Sequence, residues 1–363
     1  MKKYLFLTLI FAFVISNFVL YADSLDETLE SLSGEAAESY VSPIVSAFGS
    51  NLNGGWFHWA PEDKILGLDV EFGLVFMGSV FPDDVKTFDA MGTFQFTEYQ
   101  AGQILSNTGI GSNDLGYNEL VDAIVNQDFE LNIHGATIIG EKDDNVMVEF
   151  PQQTMTVNVD VGGMTVPYDF DLMAYSLDTD VGGLMEDFSM LPLGAPQLSI
   201  GTIYGTKAVF RYVPTYPIPD VGDFDYFGFG IQHNPKAWLK LPLPIDICAS
   251  YFTQSMNLGD YVTANATAFG FNASKTLGFS FLSITPYAGY MYEMSNMEFK
   301  YSYEIGQVNG VDVEPLDIKF DIDGKNSSRI TLGATLRLGV FNINADYNIA
   351  EYKSLTAGFA VGF

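Results

Sequence analysis

The strongest constraint lies at the end of the chain, where three successive runs alternate strictly between apolar residues and polar or small ones. In the first, Ile330, Leu332, Ala334, Leu336 and Leu338 oppose Arg329, Thr331, Gly333, Thr335 and Arg337. In the second, Phe341, Ile343, Ala345, Tyr347 and Ile349 oppose Asn342, Asn344, Asp346 and Asn348. The third sets Leu355, Ala357, Phe359, Val361 and Phe363 against Thr356, Gly358, Ala360 and Gly362. A period of two is that of an extended strand, whose side chains point to opposite faces. Short connections near Gly339 and at Glu351 to Lys353 make the runs neighbours that share one apolar face. A half-buried sheet in water fits that pattern, and so does a lipid-facing barrel wall over a polar lumen.

Composition favours the barrel. Charged residues are only 17% of the chain, whereas a soluble domain carries about a quarter. Near the other end, Leu66, Leu68, Val70, Phe72, Leu74 and Phe76 alternate with Gly67, Asp69, Glu71 and Gly73. That run outlasts a soluble strand of about five or six residues and suits the roughly ten that cross an outer membrane at a tilt. Lys2 and Lys3, the apolar stretch from Leu5 to Leu20, and Ala22 before Asp23 read as an export signal, although Leu20 departs from the usual small residue before cleavage. The apolar stretches after it are broken by Pro, Gly, Ser and Asn, so no spanning helix is expected. The lone cysteine, Cys248, has no disulfide partner within the chain and reads as a small packing residue.

The expected fold is therefore all-β: an antiparallel transmembrane β-barrel of about 14 strands, within roughly 12–16, with short N-terminal helices as plug or cap. The expected organisation is a signal peptide over 1–22, a helical plug or cap over 23–55, and the barrel over 56–363 with a loop-rich segment at 98–192. In the helical part, Ser24 and Glu27 have capping-box spacing, and Tyr40, Val41, Ile44, Val45, Phe48 and Leu52 form an apolar stripe. Pro43 after Ser42 predicts a break, giving two short helices, the second ending at Gly54-Gly55. Trp56-Phe57-His58-Trp59 reads as an interfacial anchor or packed turn, with an aromatic binding spot as the alternative. Tyr212, Tyr216, Tyr226, Tyr251, Tyr261, Tyr301, Tyr303, Tyr347 and Tyr352 sit where an aromatic girdle would lie.

Lumen-lining candidates are Asp69, Glu71, Arg329, Arg337, Asn342, Asn344, Asp346 and Asn348. In an open pore they would set a transverse field; in a filled one they would pair across it. A formal charge of −29 repels nucleic acid, which is set aside as a partner. His58, His134 and His233 lie far apart, and no HExxH, GxSxG or GxxxxGK[ST] motif occurs. No enzyme activity, catalytic residue or cofactor is expected. Acidic groups such as Asp321 and Asp323 read as solvated loop carboxylates, and no metal site is assigned.

Three stretches carry a resemblance: Tyr40 to Met77, Pro196 to Pro214 and Phe227 to Tyr251. Together they resemble the pattern of a family of uncharacterised exported outer-membrane β-barrel proteins of diderm bacteria with no assigned substrate. At the level of architecture, helices followed by about fourteen strands are also similar to the hydrophobic-compound transporters typified by the long-chain fatty acid channel. The terminal Phe363 resembles the aromatic read by the outer-membrane barrel assembly machinery. The resemblance implies outer-membrane lipid and lipopolysaccharide as surroundings. It also implies a passive transporter or channel for small molecules, hydrophobic ones included, with cargo unknown. The alternative is a structural or surface-interaction barrel without transport.

Overall fold

A computed structural model describes residues 34–362, apart from 108, 115, 162, 163, 173, 219–221, 240, 241, 304–306, 309, 310 and 313–315. The export signal, the Ser24 capping box and Phe363 lie outside the described residues. Ten strands form the barrel: β1 (Leu66–Val80), β2 (Met190–Ile203), β3 (Thr206–Ile218), β4 (Gly222–His233), β5 (Asp246–Leu258), β6 (Val262–Ser274), β7 (Leu282–Tyr303), β8 (Ser328–Leu338), β9 (Phe341–Ile349) and β10 (Ser354–Gly362). Each pairs antiparallel with the next, and β10 closes on β1 with Glu71 opposite Gly362 and Ser79 opposite Ser354. Closure leaves no edge among these ten strands.

The barrel thus closes at ten strands, not fourteen. The difference lies in strands that stand apart from the wall. Thr87–Phe94, Phe129–Ala136, Met147–Phe150 and Tyr175–Asp178 form a separate four-stranded sheet, and Gln153–Val161 pairs with Met164–Leu172 as a hairpin. With the helices α2 (Glu98–Asn107) and α3 (Tyr117–Val125) they fill the connection between β1 and β2. The segment 98–192 is therefore structured for much of its length, and its last residues already belong to β2. Leu316–Asp323 pairs only with the far part of β7, a single strand of 22 residues running past the wall. Along β7 the apolar residues fall on even positions from Leu282 to Met294 and on odd ones from Met297 to Tyr303, so one continuous strand reads in the sequence as two segments.

The outer face is apolar and uncovered. Phe72, Phe227, Phe271, Ile284, Leu332, Phe341, Ile343, Leu355 and Phe359 are all at least 45% exposed, an extent of bare apolar wall that water would not tolerate on a monomer. Tyr212, Tyr216, Tyr251, Tyr261 and Tyr347 join this outer face. Tyr226 and Tyr352 do not: they are buried, the first donating to Gln254 Oε1 at 2.6 Å. Among the described residues no helix is long and apolar enough to cross a membrane, which says nothing of strands.

One end carries two-residue turns at Tyr204-Gly205 and Gly339-Val340; the other carries the long connections 81–189 and 304–327. We call these the turn end and the loop end. The helix α1 (Gly34–Asn53) enters at the loop end, where the Ile138 amide donates to the Tyr40 carbonyl at 3.0 Å, and runs down the lumen. It is one helix that passes through Pro43 without a break. A proline removes one intrahelical bond, but here the helix is packed on many sides, with Tyr40, Val41, Val45, Phe48 and Leu52 each no more than 2% exposed. Tertiary packing outweighs the local defect. The turn Glu351 to Lys353 ties onto α1, since Ser50 Oγ donates to the Tyr352 carbonyl at 3.2 Å.

Two outcomes test this picture. Leu332→Arg places a cation on the bare wall and should destabilise the bilayer-inserted fold by about 2–4 kcal/mol, read by denaturant titration in lipid vesicles. Burial pushes the Tyr352 hydroxyl up to about 12. The unfolded group ionises near the ordinary value of 10.0, so its share of stability is present below that pH and is lost as pH rises through the folded value. Tyr352→Phe should flatten the stability loss between those two pH values.

Candidate functional site

The site is built where α1 ends inside the barrel. The last carbonyls of a helix have no partner within it, and α1 has no basic residue in its last turn. The wall supplies the donors. From β3, Arg211 Nη2 donates to the Gly54 carbonyl at 2.7 Å and Nη1 to the Leu52 carbonyl at 3.3 Å, while Nε is held by Gln197 Oε1 at 2.9 Å. From β8, Arg329 donates to the carbonyls of Ser50 and Asn53 and pairs with Glu293 Oε1 at 2.6 Å. Gln254 Nε2 also reaches the Leu52 carbonyl, at 2.5 Å. Two cations thus face the negative end of the helix dipole from two sides of the barrel.

Past the helix, Gly55 takes a φ of +66°, which favours glycine, and the chain continues as Trp56-Phe57-His58-Trp59-Ala60-Pro61 down the lumen. These rings are not an interfacial anchor: the segment is packed inside the barrel. Trp56 is 1% exposed, stacks on Phe252 at 5.1 Å and lies under the Arg211 guanidinium at 4.1 Å. Phe57 packs edge-on to Tyr287 at 5.9 Å. The wall makes room with glycine: a Cβ on Gly228 would fall 2.7 Å from the Trp56 ring, and one on Gly289 2.5 Å from the Phe57 ring. Next, His58 Nε2 lies 2.8 Å from Glu71 Oε1, and its carbonyl accepts from Thr335 Oγ1 at 2.7 Å.

Beyond Trp59 the lumen opens at the turn end into a polar vestibule of about 230 Å³. Lys207 and Arg337 lie over the Trp59 ring at 4.7 and 5.2 Å from its centroid. Asp69, Asp246 and the threonines Thr202, Thr276, Thr285 and Thr335 complete much of the lining.

The eight lumen candidates divide by depth. Asp69 and Arg337 line the vestibule. Glu71 faces His58 and accepts from Asn342 Nδ2 at 3.0 Å, and Asn342 Oδ1 accepts from Arg337 Nε at 3.1 Å. Asn344 lines a small gap beside His58 and Glu71. Asp346 accepts from the Tyr287 hydroxyl at 2.9 Å and from Asn348 Nδ2 at 2.7 Å. Arg329 alone of the eight holds the helix. The stripe Tyr40, Val41, Ile44, Val45, Phe48 and Leu52 is buried in a core shared by the barrel wall and the 81–189 module. Arg211 and Lys207 escaped the sequence reading, yet they alternate with Ala208, Phe210 and Tyr212 in the signal that marked the other strands. Cys248 is buried and donates to Asn272 Oδ1 at 2.9 Å. Among the described residues no cluster of His, Cys, Asp or Glu could hold a metal ion.

Arg211→Met should strand the carbonyls of Leu52 and Gly54 and cost about 1.5–3 kcal/mol. Arg329→Met should cost more, about 3–5 kcal/mol, because it leaves Glu293 buried without its partner. Adding Glu293→Gln should restore part of that loss. Heat-dependent gel mobility against temperature would rank the three variants.

A search of curated proteins finds no sequence match. Among solved structures, the loop-deleted OmpT outer membrane protein of Vibrio cholerae is 10% identical, covering 82% of this chain and 99% of that one, with a TM-score of 0.23. The translocator domain of the autotransporter NalP from Neisseria meningitidis is 10% identical, covering 97% and 99%, also at 0.23. The β domain of the Bordetella autotransporter BrkA is 8% identical, covering 82% and 100%, at 0.21. Such scores carry no weight, and the fold rests on the strand register of the chain itself. The resemblance to the fatty-acid channel rested on about fourteen strands, and a barrel of ten removes that architectural ground. The family model, in contrast, matches residues 1–363 end to end: the chain belongs to the family of unknown function DUF6588.

Proposed function

We propose that the protein is an outer-membrane barrel of a diderm bacterium, stoppered by its own amino-terminal segment, that anchors the 81–189 module at the membrane surface. The observation that carries this reading is the double arginine clamp on the α1 carbonyls, which fixes a helix along the lumen. The bare apolar wall supports a lipid setting. Short turns mark the periplasmic end of such barrels and long loops the outer one, so the module faces outward in this reading. Lipid, lipopolysaccharide and the barrel assembly machinery are the corresponding partners.

Passive transport is the second reading, favoured by the vestibule at the turn end. It requires α1 to leave, and the charged lining suits polar solutes better than hydrophobic ones. Planar-bilayer recording separates the two. Wild-type protein should pass no steady current. A Gly49→Cys, Ser295→Cys pair made in a Cys248→Ser background should lock the helix, since a Cβ on Gly49 falls beside that of Ser295. A steady wild-type current that persists after oxidation of the locked pair would overturn the stoppered reading.

A further inference from the structure

On the side of the barrel built by β4 to β7, the outer face changes character part-way along the strands while the register between β5, β6 and β7 runs on unbroken. On β7 the outward residues Tyr290, Tyr292 and Met294 are followed by Asn296, Glu298 and Lys300, while inward Met297 and Phe299 are buried. On β5, outward Tyr251 gives way to Thr253, Ser255 and Asn257; on β6, Phe269 gives way to Thr267, Asn265 and Thr263. On β4, Phe227 is followed toward the loop end by Asp225. The polar groups are bonded along this outer face: the Thr253 and Thr267 hydroxyls meet at 3.2 Å, and Asn257 Nδ2 donates to Asp225 Oδ1 at 3.0 Å. Glu298 pairs with Lys300 and Lys319, each at 2.7 Å. Outward charges of this kind are costly in hydrocarbon. The opposite side shows no such change, since the outward residues of β8 are apolar or small from Ile330 to Leu338.

The apolar part of the β4 to β7 side is therefore short. From Tyr251 to Asp246, at the start of β5, a tilted strand gains only about 13 Å of height, half of the ~25 Å apolar band of an outer-membrane barrel. The turn end supplies the rest. Trp238, Leu239, Leu243 and Ile245 are exposed beside the start of β5, and Phe279 and Phe281, stacked at 6.1 Å, are exposed at the tip of the hairpin between β6 and β7. From Phe269 to Phe279 the height becomes about 26 Å, the full band. Two cations lie in this zone. Lys236 is answered by Asp246 at 3.2 Å and Asp63 at 3.6 Å, and Lys275 has a stem long enough to carry its ammonium to the headgroups.

We propose that the lipid bilayer is offset toward the turn end: Trp238, Leu239, Phe279 and Phe281 are immersed in the leaflet there, and the β4 to β7 wall beyond Phe227, Tyr251, Phe269 and Met294 stands clear of hydrocarbon as a one-sided polar collar. This rests on the outer-membrane reading and adds to it where the lipid boundary runs.

Single cysteines in a Cys248→Ser background, in the full chain folded into phospholipid nanodiscs that leave both ends open, are timed with a membrane-impermeant maleimide. Glu62→Cys, whose parent side chain is exposed at the turn end, sets the rate in water; Ala334→Cys, in the middle of the β8 outer row, sets the rate in lipid. Ser255→Cys and Asn265→Cys should label like Glu62→Cys. Leu239→Cys and Phe279→Cys should label at least tenfold more slowly, like Ala334→Cys. With Ala334→Cys protected, labelling of Leu239→Cys or Phe279→Cys at the water rate, or protection of Ser255→Cys and Asn265→Cys, overturns the proposal and leaves the membrane reading standing. Labelling of Ala334→Cys at the water rate overturns both. Should a cysteine variant lack the heat-dependent mobility of the folded barrel, Trp238 decides, because the other two tryptophans, Trp56 and Trp59, lie in the lumen. Brominated phospholipid should quench wild-type fluorescence more than that of Trp238→Phe, and equal quenching rejects immersion.

Discussion

A helix that ends away from water must find donors for its last carbonyls, and the interior of this barrel is organised by that need. Arg211 and Arg329, on strands far apart around the wall, converge on Ser50, Leu52, Asn53 and Gly54. Their cost of burial is shared: Gln197 orients one guanidinium and Glu293 neutralises the other. Because both strands contribute to one helix end, the clamp also fixes the rotation of α1 against the wall. The turn, the rings and the vestibule all follow from where that end is held.

Barrel width and lumen content are matched. Eight strands enclose only enough space for their own side chains; ten admit a helix, provided both surfaces are trimmed. Ala264, Ala266 and Ala268 on β6 and the glycines facing Trp56 and Phe57 are that trimming. Were the wall larger by four strands, α1 would rattle, and single side chains such as Arg211 could not span the gap to its backbone.

Legibility in the sequence followed periodicity. The three terminal strands and β1 have the same inner and outer faces in the chain and in the fold, because hydrocarbon outside and a polar interior impose a strict alternation at each position. The strand number was hidden because the sheet at the loop end has the same alternation with a different destination. His134 and Ile133 alternate like wall residues, yet pair with Met147 and Val148 in the outer module. The path of α1 was half visible: the apolar stripe announced burial, but Pro43 argued for a break that tertiary packing overrode. The vestibule was invisible as a unit, since Trp59, Lys207 and Arg337 meet only after closure.

The connection from Pro61 to Leu66 makes the stopper a tethered one. It leaves the lumen at the turn end, where Asn234 Nδ2 holds the Pro61 carbonyl at 2.7 Å, and the few residues from Glu62 to Ile65 then double back into β1. Movement of the helix toward the loop end would draw the descending segment from Gly54 to Ile65 taut against the first stave of the wall. The cork is leashed to its own bottle: α1 can travel only as far as those twelve residues, Gly54 to Ile65, can straighten.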